Sequence, residues 1–218
     1  MGWFSLKDPV PWGIAWKKAV GPSISASLVE EIIFRGIFLG ICLRAFRPAT
    51  AIILVSLLFS ALHFLQPPSN IAVFVQGDPL PEGALYIDPA NQHSGFQLLQ
   101  AILMRFQNFE LVLYEFISLT TIGLILAYAR YATASLWLPI GLHSGWIFAY
   151  VSFKKISLRL PQADDTLSYL VGSNLKEGLI PMGTLALTAL LVVLFVRIFP
   201  SKGLSLIHIS EPTRRYSI

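Results

Sequence analysis

The sequence predicts an all-α fold, a polytopic transmembrane bundle of about 4–5 spans at roughly 20 residues per span. Three observations carry that expectation. Of 218 residues, 55% are hydrophobic and only 13% are charged, against about 25% charged in a typical soluble domain. The deficit is spread along the whole chain, and mean hydropathy is +0.66. The basic residues sit at the ends of separate apolar runs, which is how membrane flanks are anchored. No strand-like alternation and no internal repeat is evident.

Residues 1–22 combine Trp3, Phe4, Trp12 and Trp16 with several prolines, which suits an N-terminal segment lying at the membrane interface. They include Lys7, Asp8, Lys17 and Lys18 and lack the apolar core of a cleavable signal peptide, so the first span is expected to direct its own insertion. The first apolar run, residues 24–43, contains Glu30, Glu31 and Arg35 and ends at Arg44 and Arg47. The second, residues 51–65, stops before Pro67 and Pro68.

Residues 67–110 differ in kind, with Asp78, Glu82, Asp88 and Glu110 against one basic residue, Arg105. Prolines and glycines crowd the first half. In the second, Phe96, Leu99, Ile102, Leu103 and Phe106 recur at helical spacing, which predicts an irregular loop followed by an amphipathic surface helix. A third span, residues 111–129, holds Glu115, Thr120 and Thr121, and a connector with Arg130 leads to the fourth, residues 136–153. A polar loop at 154–180 precedes a last span, 181–199, with no ionisable residue before Arg197. One membrane domain, residues 23–200 with an insertion at 67–110, accounts for the chain.

The net charge of +4 is modest, and its placement favours membrane lipid as a partner over nucleic acid. Connectors bearing Arg44, Arg47 and Arg130 are expected on the cytoplasmic side, although Lys17 and Lys18 argue the other way. The single cysteine, Cys42, lies in an apolar run and reads as a small packing residue. Residues 204–214, LSLIHISEPTR, resemble the translation of a transposon-end sequencing adapter. Residues 204–218 are therefore expected to be a non-native tail, and the source to be bacterial.

Function is concentrated in the charges that interrupt the spans. An ionisable side chain at mid-span costs about 2.5–3.5 kcal/mol on insertion scales, so such residues persist where they pair or do chemistry. Glu30 and Glu31 lie about two turns into span one, and His63 less than a turn from the end of span two. A short connector makes these spans antiparallel, which brings the two positions to similar depth. Glu115 begins span three on that side, and span four returns His143 toward it. Glu31 and Arg35, four apart, can pair on one helix face, while Glu30 points about 100° away. Phe59 and His63 share a face one turn apart. Pro139 is expected to break a backbone bond and open a cavity beside His143, and Gly141 and Gly145 to permit close helix approach. Taken singly, each of these is also what a packing ion pair or an interhelical hydrogen bond would look like.

In order along the chain, VEEIIFRG, FSALH and LWLPIGLH resemble the three motifs of the CPBP (CAAX protease and bacteriocin-processing, or ABI) family over residues 23–155. The resemblance implies an intramembrane glutamic-type endopeptidase of a multi-pass cell membrane protein, acting on a hydrophobic or membrane-tethered peptide without a cofactor. By it, Glu30 is the base that activates water, His63 assists, and His143 polarises the scissile carbonyl. Glu31 and Arg35 form a structural pair, with Phe59 and Glu115 in support. The family commonly has Asn four residues after the last histidine, and here that residue is Ile147. Ser144 is on the wrong face to replace it, whereas Thr120, Thr121 or Tyr150 are candidates. Two other readings stay open: a metal held by Glu30, His63 and His143, and a scaffold or bacteriocin-immunity protein without activity.

Overall fold

The computed structural model describes residues 4–64, 71–72, 85–87, 91–104, 106, 109–159 and 178–199. Asp78, Glu82, Asp88, Arg105 and the tail at 204–218 lie outside them. The chain enters with a short strand β1 (Phe4–Leu6) and then forms one long rod. This rod is helix α1 (Trp12–Glu31), a seven-residue π-helical stretch (Ile32–Phe38) and α2 (Leu39–Ala45). At 1.5 Å per residue it is about 50 Å long, well beyond the roughly 30 Å of a hydrocarbon core. Helix therefore already covers the second half of the segment expected at the interface.

Only Phe46 and Arg47 separate α2 from α3 (Pro48–His63), so the two must run antiparallel. Pro48 opens α3, where its missing N–H costs nothing. Next come the two-residue strands β2 (Ile71–Ala72) and β3 (Leu85–Tyr86) and helix α4 (Ser94–Met104). Helices α5 (Phe109–Thr133) and α6 (Trp137–Ile156), strand β4 (Ser157–Arg159) and helix α7 (Leu179–Ile198) complete the chain.

Helices carry the architecture, as expected. The strand pairs were not foreseen: β1 lies antiparallel to β4 and β2 parallel to β3. Each pairs only two or three residues, too few to leave an alternating pattern.

Two seams position the site. Along the first, α1 packs on α6 through Ala15, Ala19, Ser23, Ser27 and Glu31, all buried and spaced four apart on one face. Small side chains there let the backbones approach, and β1 with β4 ties the same ends together. The second seam joins α3 to α5 at Gly123, where an added Cβ would stand 3.0 Å from the Cα and Cβ of Ser56. Phe34, Leu39, Val55, Phe59 and Ala127 form the core between them, with Cys42 packed at its edge as the sequence suggested.

Gly123, and not Gly141 or Gly145, is thus the close-approach glycine. A Cβ on either of those two would meet nothing within 4 Å. Pro139 also departs from expectation. It is the third residue of α6, in a first turn whose N–H groups have no intrahelical acceptor in any case. It breaks no ladder bond, is fully buried, and does not line the cavity described below.

Among the described residues, two helices are long and apolar enough to cross a membrane, Val112–Thr133 within α5 and Leu179–Ile198. Much of the remaining outer surface is also apolar, including Ile24, Leu28, Ile37 and Ile41 on the rod and Leu57, Leu58 and Leu62 on α3.

Candidate functional site

Where the rod passes from α-helix to π-helix, polar side chains of the rod, α3 and α6 meet beside a backbone carbonyl of α5. Glu31 is completely buried, and its Oε1 accepts hydrogen bonds from Arg35 Nη1 at 2.7 Å and His143 Nδ1 at 2.8 Å. The second Arg35 nitrogen, Nη2, donates to the Gly123 carbonyl at 3.4 Å, and the guanidinium lies 4.4 Å from the centre of the Phe59 ring. This cluster therefore joins the rod to α3, α5 and α6. Burial of paired charges is tolerated because each is hydrogen-bonded and the cation also rests on an aromatic face.

Glu30 is turned away from that pair, as the helical offset requires. Its Oε2 is buried without a hydrogen-bond partner among the described residues. It stands 3.7 Å from His63 Nε2 and 3.8 Å from His143 Nε2. Both imidazoles are fixed from behind. His63 Nδ1 is 2.8 Å from the Phe59 carbonyl, which can only accept, so Nδ1 carries the proton and Nε2 of the neutral ring is an acceptor. His143 is held likewise by Glu31. Phe59 packs beside both rings, with centroids 4.2 Å from His63 and 6.0 Å from His143.

A cavity of about 600 Å³ opens on the other side of His143, between α5, α6 and α7. Its walls include Phe59, Glu115, Trp146, Ile147, Tyr150 and Leu185. Glu115 thus belongs to this cavity rather than to the Glu30 cluster. Trp146 was not singled out in the sequence, although it follows His143 at a helical interval of three. The proposed stand-ins for asparagine divide. Thr120 is bonded to Ser60 Oγ at 2.9 Å and Thr121 to the Ile117 carbonyl at 2.8 Å. Ser144 is engaged with Ser27 across the α1–α6 seam. Tyr150 lines the same cavity as Ile147. Among the described residues, no group of three His, Cys, Asp or Glu side chains is arranged to hold a metal ion.

An all-helical protein with apolar helices long enough to cross a membrane and a buried carboxylate–imidazole cluster is the class that fold and site define. The model of one family, the type II CAAX prenyl endopeptidase Rce1-like proteins, matches residues 12–149. The chain belongs to this family of CAAX proteases. The match begins at the first residue of α1 and contains every site residue above except Tyr150 and Leu185. No curated protein and no solved structure matches the chain.

Proposed function

We propose that the chain is a multi-pass intramembrane endopeptidase that hydrolyses a hydrophobic or membrane-tethered peptide through water activated by Glu30. The rod, α3, α5, α6 and α7 are its five crossings. The observation that supports this most directly is the unpartnered Glu30 Oε2 at 3.7 and 3.8 Å from two imidazole nitrogens. Those separations are too long for hydrogen bonds, yet they suit one water bonded at about 2.8 Å to the carboxylate and an imidazole. With Nδ1 protonated on both rings, three acceptors face one another and need protons between them, which a water supplies.

In this reading Glu30 takes the proton as water attacks the scissile carbonyl, and His63 orients the same water. The proton then passes to the leaving amine, as microscopic reversibility of general acid–base catalysis requires. His143, steadied by Glu31 and Arg35, is placed to polarise the carbonyl once protonated. Purified protein in proteoliposomes should cleave a membrane-tethered peptide, and Glu30→Gln and His63→Ala should each lower turnover by at least about 10²-fold. Full turnover by both variants would reject the mechanism. Loss of activity on chelation, restored by zinc, would replace it with metal-assisted hydrolysis.

A second reading, a weakened or inactive member acting as a membrane scaffold or immunity protein, is favoured by Ile147. An apolar side chain cannot donate to an oxyanion, and one missing donor costs about 10²–10³ in rate. Ile147→Asn separates the two. A rise in turnover marks a slow enzyme, whereas no turnover in either form, with a partner protein still retained by Glu30→Gln, marks a scaffold.

A further inference from the structure

Helix α4 presents apolar side chains in two opposite directions. Leu98, Ala101 and Ile102 face the protein, with Ile102 only 8% exposed. On the reverse side Phe96, Leu99 and Leu103 are 77, 49 and 57% exposed and fall within about 60° of one another at helical spacing. A helix on a water-facing surface would carry charge there, yet α4 has no charged residue along its 11 positions.

The location of α4 indicates what covers this stripe. Residues 105–111 alone separate Met104 from Val112, where a candidate membrane span begins. The Phe106 ring lies 5.9 Å from Phe64, which in turn lies 6.0 Å from Phe116 on α5. Phe106, two residues past the end of α4, therefore lies where α3 finishes and α5 starts. The apolar outer surface continues there through Leu62, Leu113, Tyr114 and Ile117, all exposed. At about 16 Å, α4 is roughly half the length needed to cross.

We infer that α4 is a membrane-surface helix whose outer stripe, Phe96, Leu99 and Leu103, inserts among the acyl chains just below the headgroups. The occupant is the lipid surface itself, contiguous with the lipid-facing sides of α3 and α5. Because the helix is uncharged, its seating does not depend on headgroup charge.

The test uses the full chain in proteoliposomes, in a Cys42→Ser background, with an environment-sensitive fluorophore on Phe96→Cys, Leu99→Cys, Leu103→Cys or Gln97→Cys. Labels at 96, 99 and 103 should be quenched several-fold more than the label at 97 by lipids carrying a shallow nitroxide. Aqueous iodide should reach them several-fold less, equally in zwitterionic and anionic vesicles. Three stripe positions guard against one variant failing to assemble. Iodide access at the stripe equal to that at 97 would overturn the inference. So would protection from both quenchers, which would indicate a protein partner such as a second copy, or strongest quenching by a deep nitroxide, which would indicate a re-entrant segment. None of these readings depends on proteolysis, so the assay stands or falls apart from the proposed chemistry.

Discussion

Glu30 and Glu31 are adjacent, chemically alike and differently employed, and the 100° step of the helix is the reason. Glu31 is sealed in with Arg35 and His143, and in the proposed mechanism it holds His143 in place. Arg35→Met would leave that carboxylate buried and short of its cation, at a cost of about 3–5 kcal/mol. Thermal unfolding in detergent should show this loss, and Glu31→Gln added to Arg35→Met should recover part of it by removing the stranded charge. Among the described residues Glu30 has no hydrogen bond to lose and its side chain is 27% exposed, so Glu30→Gln should change stability by no more than about 0.5 kcal/mol. A Glu30→Gln variant as unstable as Arg35→Met would make Glu30 a packing group. The Glu31–Arg35 pair was legible from spacing alone, because both residues lie on one turn. That His143 closes the same cluster was not, since its partner is 112 positions away and the contact exists only once α1 meets α6.

The apolar runs marked the helices because a span must be long and greasy whatever it packs against. Which face of a span meets its neighbour depends on the neighbour, and there local reading failed. Gly141 and Gly145 have the spacing of a close-approach motif but lie on an exposed face of α6, whereas Gly123 has no partner glycine and carries the α3–α5 contact. The π-helical stretch Ile32–Phe38 left no sign in composition either, although such segments gather at functional sites. Gly123→Ala should cost about 1–3 kcal/mol as an overpacked contact, because the obstructing atoms include Ser56 backbone. It should also lower cleavage, since α3 carries Phe59 and His63. Gly145→Ala should be neutral or gain up to about 1 kcal/mol from helix propensity. Melting temperatures of the two variants compared side by side decide the matter, and equal losses would refute this placement of the seam.

At the scale of the molecule, the five crossings proposed above require more than the two helices that, among the described residues, are long and apolar enough to cross alone. The rod carries Glu30, Glu31 and Arg35, and α6 carries His143, serines and glycines, so each is too polar to pass alone. Both bury that polarity against each other, which is how charged residues are accommodated inside a bilayer. In the proposed topology, crossing by the rod and α6 is thus a property of the pair. The topology gives a sharp consequence. The rod and α6 are tied at one end by β1 and β4, and the connectors after α2 and α5 lie at the other end, near Arg44, Arg47 and Arg130. If α3 returns across the membrane as proposed, Asn91 belongs to the β1–β4 side. In a Cys42→Ser background, Phe46→Cys and Trp137→Cys, both exposed, should react with an impermeant maleimide from one face of sealed vesicles, and Asn91→Cys from the other. Labelling of positions 46 and 91 from the same face would mean that α3 does not cross. His63 would then meet Glu30 outside the hydrocarbon, and the site would have no need of a membrane-tethered substrate.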